Sequence, residues 1–400
     1  MRPARHGATP PRSRPERRLA AWRDWLATLP AIDGHLHPPL RLPQPADCDG
    51  LLRLFTESDF AAQLPHVAHS LYFQQALRAL AELHGCDPTV EAVLATRRAL
   101  SLPELLARSV GGANVRALLV DDGYRLAESY TLVELRAAAP AGCRVWGVLR
   151  LETLAEQLAA EHTTFAAFAE AFTAALGALR ARGYVALKSI AAYRCGLALG
   201  PADAAAAAAS WPRIHAQARQ GRLRLVDKPL ITWCLWQGIA AAGAQGLPLQ
   251  LHTGFGDRDL DLLQANPLLL RPLLEADALR GVPVVLLHTY PYVREAAYLA
   301  SLYPEVYLDL SLTVPLVGPG AARVVGEALE LAPASKVLYG SDAAGLAETI
   351  WLAARAMRAA LAELIAAWVT AGALTLAQAE QVAARVLGRN AAALYALPEP

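Results

Sequence analysis

This sequence has few cysteines, almost no excess of either positive or negative charge, and no long apolar segment. The cysteines number five and none stand in a CxxC spacing, which argues against a disulfide framework or a zinc ribbon and is typical of a reducing cytoplasm. Lys and Arg total 37 against 36 Asp and Glu, so no basic excess is available to hold a nucleic acid. No apolar run reaches the roughly 20 residues that cross a bilayer. We therefore expect a cytoplasmic protein that binds neither nucleic acid nor membrane.

The first segment, residues 1–18, is rich in Arg and Pro and lacks the apolar stretch of a secretory signal. Its prolines would break the amphipathic helix of an organelle transit peptide. Beyond this segment the chain has ample material for a large core, since 54% of all residues are hydrophobic and only 18% are charged. We predict a disordered tail over 1–18 and one domain over 19–400.

Eight short apolar segments, separated by helical stretches, predict eight strands. They are AIDGHLH (31–37), VRALLVDDG (115–123), RVWGVLRLE (144–152), YVALKSI (184–190), LPLQLHTG (247–254), VPVVLLHTY (282–290), VYLDLSLT (306–313) and KVLYGSDA (336–343). Segments that are apolar on both faces suit parallel strands covered by helices, and their alternation with helices implies βαβ units. Eight units close a barrel, so the predicted fold is α/β, a (β/α)8 TIM barrel, rather than an open doubly wound sheet.

Two predicted connections are longer than a single helix. The first, about residues 40–113, shows helical patterns in Leu71–His84 and Thr89–Arg108. The second follows the fourth strand, and Pro212 after Trp211 predicts a break in its helical pattern. Both leave the C-terminal ends of strands, where barrel active sites lie, so we expect helical insertions after strands 1 and 4 that cover a pocket.

Histidines or an aspartate that could bind a metal ion lie at the ends of the first, fifth, sixth and eighth predicted strands. His35 and His37 are two apart on the first strand and therefore point to the same side. His252 and His288 end the fifth and sixth strands, and Asp342 ends the eighth. A lone HxH could be two exposed histidines. The histidines and the aspartate at the ends of three other strands instead favour a site where these side chains converge. Imidazoles and a carboxylate that converge are ligands for a divalent metal ion such as zinc.

Lys188 ends the fourth predicted strand, beside the same expected site. Three interpretations remain open at this stage. Carbamylated by CO2, Lys188 would be an anionic ligand that bridges two metal ions. As a free ammonium it would hold an anionic substrate, or it would form an ion pair with Glu152 of the third strand.

This set of residues, with HxH on the first strand, Lys on the fourth, His on the fifth and sixth and Asp on the eighth, resembles the amidohydrolase superfamily. More narrowly, the chain is similar to the amidohydrolase domain fused to glutamine-synthetase-like domains in plant nodulin/FluG-type proteins. The similar segments are HVAHSLYFQQALRALAEL (66–83), LKSIAAYRCGL (187–197), HTGFGDRDLDL (252–262), SLYPEVYLD (301–309) and Ser341–Ala343. The resemblance extends from about Ala31 to the C-terminus. The sequence stops at Pro400 without a synthetase domain, so we expect no role that depends on one.

The resemblance implies a metal-dependent hydrolase that uses metal-activated water on a C–N (amide) bond of a small, carboxylate-bearing substrate. It implies one or two divalent ions, with zinc expected. The implied metal ligands are His35, His37, Lys188 as a carbamate, His252, His288 and Asp342. A decarboxylase or a lactonase of the same superfamily, or a non-catalytic barrel, is the alternative.

The same resemblance implies roles for two of these residues in the reaction. Asp342 would accept a proton from the water and pass it to the leaving group. With a single metal ion, His288 would hydrogen-bond the carbonyl or oxyanion of the substrate instead of binding metal.

Several further side chains are candidates for contact with a small-molecule substrate. Arg194, beside Tyr193, suits a bidentate grip on a carboxylate, with a surface arginine as the alternative. His69 could reach the pocket from the first insertion. Asp257 would bind substrate or pair with Arg258. Glu152 completes the set of candidates, and a homo-oligomer is left open.

Overall fold

The structure, a computed structural model, describes residues 14–124, 126–221 and 223–400. Residues 1–13 of the predicted tail lie outside these ranges. Helix α1 spans Arg14–Thr28, so it begins before residue 18, and the domain boundary at that residue stays a prediction. Pro15 is compatible with that helix since the N–H groups of a first turn have no partner within the helix. At the other end of α1, Leu26 is fully buried.

Eight parallel strands form one sheet in chain order. They are β1 Ala31–Leu36, β2 Val115–Asp121, β3 Arg144–Arg150, β4 Tyr184–Ser189, β5 Leu249–Thr253, β6 Val284–His288, β7 Val306–Asp309 and β8 Val337–Leu338. The short β8 is extended by hydrogen bonds to β1, in which Gly34 N donates to Tyr339 O at 3.0 Å and Asp342 N donates to His35 O at 2.9 Å. These bonds close the sheet, and the predicted (β/α)8 barrel is confirmed.

The α-helices surround the barrel and also form its two long connections. After α1 they are α2 Cys48–Arg53, α3 Leu64–Val67, α4 Leu71–His84, α5 Val90–Arg98, α6 Leu102–Leu106, α7 Leu132–Ala138, α8 Leu151–Ala159, α9 Phe165–Ala175, α10 Ala191–Arg194, α11 Ala204–Arg219, α12 Lys228–Gln245, α13 Arg271–Leu274, α14 Val293–Leu302, α15 Thr313–Leu316, α16 Ala321–Leu331, α17 Glu348–Thr370, α18 Leu376–Ala384 and α19 Asn390–Leu394. Short 3-10 segments are Ala61–Gln63, Arg180–Arg182, Pro267–Leu270, Asp277–Leu279, Gly318–Gly320 and Ala334–Lys336, and π-helical turns are Ala107–Gly111 and Arg385–Arg389. Of the helices in the described ranges, none has the length and apolar character needed to cross a membrane.

Apolar side chains fill the barrel interior and the layer between strands and helices. Strands β5 and β6 are buried at every position, as expected for strands covered on both faces. Inside the barrel, Leu119 and Leu287 pack in one cluster with Tyr395, which follows α19. The C-terminal segment therefore contributes to the interior core.

The first insertion, between β1 and β2, has a separate hydrophobic cluster that also includes Leu346 and Leu352 near the start of α17. Its predicted helix over Leu71–His84 is confirmed as α4. The second predicted helix, Thr89–Arg108, is not continuous, because a short non-helical connection separates α5 from α6. There Ser101 and Glu104 form a reciprocal capping box that starts a new helix.

A buried ion network ties this insertion to the barrel. Glu348, at the start of α17, accepts hydrogen bonds from Arg97 Nε at 2.5 Å and pairs with His84 Nε2 at 3.0 Å. All three side chains are buried. A buried charge needs such partners, so the network fixes how the insertion sits on the barrel.

The second insertion, between β4 and β5, contains α10 to α12. The predicted break at Trp211–Pro212 is wrong, because α11 continues through Pro212. Pro212 is exposed, whereas Trp211 is buried with its ring centroid 4.4 Å from that of Phe168. Trp211 Nε1 also donates to Thr163 O at 3.2 Å. This packing offsets the hydrogen bond that the proline cannot donate.

Candidate metal centre

His35, His37 and Asp342 lie together at the C-terminal end of the barrel. The Nε2 atoms of both histidines are 3.3 Å from Asp342 Oδ1. The ligand atoms of the three residues lie within 4.8 Å of one another. Because the sequence places these residues at opposite ends of the chain, only closure of the barrel between β8 and β1 brings them together.

The partners of the two histidines determine which ring nitrogen carries the proton. Gln250 Nε2 donates to Gly34 O, so its Oε1 faces His35 Nδ1 at 2.9 Å as an acceptor. His37 Nδ1 lies 3.1 Å from the main-chain oxygen of Asp121, which can only accept. Both rings are therefore protonated on Nδ1, and both Nε2 atoms present a lone pair towards Asp342.

These three converging atoms fit a divalent cation. Asp342 Oδ1 is buried and has no hydrogen-bond partner among the described residues. It faces two imidazole lone pairs. Lys188 Nζ, 3.2 Å from His35 Nε2, donates to one of these lone pairs, and a cation between the three atoms would relieve the repulsion among them. Burial lowers the pKa of His35 to about 4, so this imidazole is neutral at neutral pH, the state in which it binds metal.

The backbone that carries two of the candidate residues is unusual. His288 has a φ of 67° and Asp342 a φ of 52°, in the left-handed region that residues with a side chain rarely adopt. Asp342 follows β8 rather than lying on it. Such conformations persist where surrounding bonds hold them, and they concentrate at functional sites.

Two buried aspartates supply those bonds. Asp309 Oδ1 accepts from the His288 main-chain N at 2.9 Å and from Ser311 Oγ at 2.8 Å. Asp33 accepts from Ser341 N at 2.8 Å and from Ser341 Oγ, so it fixes the residue before Asp342. Burial raises the pKa of Asp33 to about 7 and that of Asp309 to about 6.

His252 and His288 lie side by side next to this group, with ring centroids 4.5 Å apart. Since Ser311 Oγ donates to Asp309, it accepts from His288 Nδ1 at 2.9 Å, which leaves a lone pair on His288 Nε2. His252 Nε2 lies 3.1 Å from the main-chain oxygen of Phe255, which leaves its lone pair on Nδ1. Burial lowers the pKa of His288 to about 3. A neutral ring with a free lone pair suits a metal ligand better than a hydrogen-bond donor to an oxyanion.

Lys188 is buried at the same centre, where its Nζ lies 3.2 Å from His35 Nε2. Burial lowers the pKa of Lys188 to about 8, which raises the share of neutral amine that could react with CO2. Of the three interpretations, the ion pair with Glu152 is not present among the described residues. Glu152 instead accepts from Ser189 Oγ at 2.6 Å and from Ile190 N at 3.0 Å. These donors follow Lys188 directly in the chain, and their hydrogen bonds hold the carboxylate away from the amine.

A cavity of about 320 Å³ opens onto this centre. Among its lining residues are His37, Lys188, His252, His288 and Asp342. The first insertion contributes further lining residues, including Glu57 and Tyr72. The helical insertion therefore forms one wall of the cavity, as its position after β1 suggested.

The structure brings some of the predicted substrate residues to the cavity and not others. Tyr193, Arg194 and Asp257 line it. His69 is exposed and does not line the cavity; it lies in the short connection between α3 and α4. Glu152 also lies outside the cavity lining, since it is buried and bonded to its neighbours as described above.

The pairings around two of these residues also differ from expectation. Arg194 Nη1 donates to Glu156 at 3.0 Å, so its charge is already balanced. Arg258 does not pair with Asp257; it lies 3.8 Å from Asp59 and over the ring of Phe60. Asp257 instead accepts from the main-chain N of Asp259 in its own loop.

Comparisons with known proteins agree with this geometry. A family model described as Amidohydrolase matches residues 32–397. Protein fluG of Emericella nidulans is 34% identical over 421 aligned positions, which cover 95% of this chain and 47% of that protein. The chain therefore spans about half the length of the curated relative that it matches.

Solved structures extend the comparison. A crystal structure from Lactobacillus casei ATCC 334, assigned as a metal-dependent hydrolase, is 34% identical with a TM-score of 0.84 and covers 94% of this chain and 97% of its own. Glucuronate isomerase from Caulobacter crescentus shares the fold at 15% identity, with a TM-score of 0.67 over 98% of this chain and 96% of its own. The barrel, the converging ligands and the match over 32–397 lead to one conclusion: the chain belongs to the amidohydrolase family.

Proposed function

We propose that the chain is a metal-dependent hydrolase that cleaves a C–N (amide) bond in a small, carboxylate-bearing substrate. The observation that carries the proposal is the convergence of three proton-free acceptor atoms, from His35, His37 and Asp342, beside a cavity. The family and the relative assigned as a metal-dependent hydrolase support it. A single domain over 19–400 with a cavity of substrate size is consistent with a small molecule as its partner.

The centre can hold one divalent ion, for which we propose zinc, through His35, His37 and Asp342, and His252, His288 and carbamylated Lys188 would hold a second. When bound, such an ion polarises a carbonyl and lowers the pKa of a water molecule beside it. Asp342 would take up the proton that the attacking water loses and deliver it to the leaving nitrogen. Its left-handed backbone, fixed through Ser341 by Asp33, aims the carboxylate at the two imidazoles.

The cavity offers groups that could orient the substrate around this centre. Arg194 uses Nη1 for Glu156, and its remaining N–H groups could grip a substrate carboxylate. Tyr193 lies against His252, with ring centroids 4.5 Å apart, and forms part of the wall. These residues would therefore set the position of the amide relative to Asp342.

A substrate panel tests the proposal. Protein loaded with zinc or manganese is incubated with N-acyl amino acids, γ-glutamyl amides, lactones and aromatic carboxylic acids, and released amine and CO2 are measured. We expect amine release from amides, no CO2, and loss of turnover after chelation. Release of CO2 from the aromatic acids, or cleavage of lactones alone, would replace the proposal with the corresponding reaction. No turnover across the panel would favour the non-catalytic barrel.

A further inference from the structure

Glu57 is a carboxyl group in the cavity that the proposed chemistry does not use. It lies in the first insertion between α2 and the turn Ala61–Gln63, is partly buried and lines the cavity together with Asp342. Within the described ranges it has no hydrogen bond and no ion pair. A carboxyl group held out of bulk water without a partner is costly, which indicates a site completed by a ligand.

The cationic groups of the cavity are already balanced. Each guanidinium among the described lining residues has a carboxylate at hydrogen-bond distance. The pairs are Arg150 with Asp121 at 2.6 Å, Arg194 with Glu156 at 3.0 Å and Arg224 with Asp259 at 3.0 Å. Lys188 lies at the metal centre beside His35. Among the described lining residues, Glu57 and Asp257 are therefore carboxyl groups without a counter-ion from the protein, and Asp257 at least accepts from a main-chain N–H.

The surroundings of Glu57 favour a positive charge. Burial, together with the carboxylates of Asp342 and Asp257, raises its pKa to about 7, so the charged groups that act on it are acidic. Three phenol rings, from Tyr72, Tyr124 and Tyr193, line the same cavity. The faces of aromatic rings attract cations, and alkylammonium groups are bound in this way beside carboxylates.

We infer that Glu57 binds an ammonium group of the substrate, so that the substrate class is a small amide that also carries a primary amine. The inference rests on the proposed function only in taking the substrate to be an amide. It adds a cation to the carboxylate discussed above, a combination found in the amides of amino acids. Glu57 acts here as a specificity residue that holds the substrate, and it takes no part in proton transfer.

Matched substrate pairs test the inference through hydrolysis. Each pair joins an amino amide that also carries a carboxylate, such as glutamine, with the alkyl amide that lacks only the amine, such as glutaramate. In Glu57→Gln we expect kcat/KM for the amino amides to fall about tenfold or more, because a hydrogen-bonded charge pair is lost. The alkyl amides should stay within about threefold, and Glu57→Asp should recover part of the loss. Asp59→Asn is the control, since Asp59 is in the same loop but is 61% exposed and near Arg258.

Binding of 1,4-diaminobutane, measured by calorimetry on the metal-loaded protein, separates this inference from the proposed function. Binding that Glu57→Gln weakens tenfold and Asp59→Asn leaves unchanged supports the inference even when no amide is cleaved, in which case only the proposed function fails. Absence of binding overturns the inference. An equal loss of both substrate classes in a folded Glu57→Gln also overturns it, because that result indicates proton transfer.

Discussion

The Nδ1 atom of His35 lies 2.9 Å from the Oε1 atom of Gln250 inside the barrel. Gln250 is held in turn by Gly34 O at 2.8 Å and by the hydroxyl of Tyr395 at 2.9 Å. This chain of bonds runs from the C-terminal segment to the candidate metal ligand. It fixes the tautomer of His35 and turns its Nε2 lone pair towards Asp342.

Replacing Gln250 with Leu should weaken metal binding about 10–100-fold, because an unheld imidazole is a poorer ligand. Competition against a chromophoric chelator measures this affinity. Tyr395→Phe removes the other bond of the Gln250 amide and should leave the affinity within about threefold. Equal affinity of Gln250→Leu and wild type would show that the bond does not orient the ligand.

Replacing Asp342 with Asn keeps the shape of the side chain but removes the proton acceptor. We expect kcat for amide hydrolysis to fall by about 10²–10⁴, the contribution of general acid–base catalysis. Metal content is measured on the same samples, so that lost metal and lost proton transfer are told apart. Asp277→Asn, on the exposed surface, is the matched control. Activity of Asp342→Asn within threefold of wild type would rule out the role.

The carbamylation of Lys188 should depend on whether one or two metal ions are bound. An ammonium 3.2 Å from His35 Nε2 is repelled by two nearby cations, whereas a carbamate offers an oxygen to each. If a crystal structure of the metal-loaded protein shows two ions about 3.5–4 Å apart, Lys188 should carry the carbamate and Lys188→Ala should lose one ion. If it shows one ion, Lys188 should be unmodified. Lys228→Ala is the control, since Lys228 is exposed at the start of α12. Two close ions beside unmodified Lys188 would refute the link.

Helix α11 should become more stable when its internal proline is removed. Pro212 is exposed and cannot donate to the preceding turn, so Pro212→Ala restores a hydrogen bond. We expect a gain of about 1–2 kcal/mol in the free energy of unfolding. This is less than the roughly 3 kcal/mol that a proline costs inside a helix, because alanine also increases the conformational entropy of the unfolded chain. Denaturant titration measures it. Pro229→Ala is the control, since Pro229 lies in the first turn of α12. A loss of stability in Pro212→Ala would contradict this explanation.

The strands and the clustered ligands could be predicted because both depend on local patterns. The strands are short segments in which most residues are buried, and strand ends of a barrel meet at one rim, so His35 and Asp342 could be placed together from the sequence. The roles at that rim remain predictions. The α11 break was wrong because the packing of Trp211 overrides a local proline signal.

The partners of the charged residues and the residues that hold the candidate ligands could not be predicted in the same way. The predicted third strand included Glu152 beside Lys188 of the fourth, but Glu152 lies in the first turn of α8 and accepts from Ser189 and Ile190 instead. Gln250 is a polar residue between two leucines of β5, and its position two residues before His252 could have indicated a supporting role. Glu57 lies in a loop without periodicity, and only the packing of the insertion brings it to the cavity.

The metal content of the purified chain, determined by elemental analysis, tests the central claim most directly. Wild-type protein should hold one or two divalent ions per chain, most of them zinc. The double variant His35→Ala/His37→Ala should lose the ion between these residues and Asp342 while circular dichroism shows a folded barrel. A folded double variant that keeps the full wild-type metal content would contradict the account.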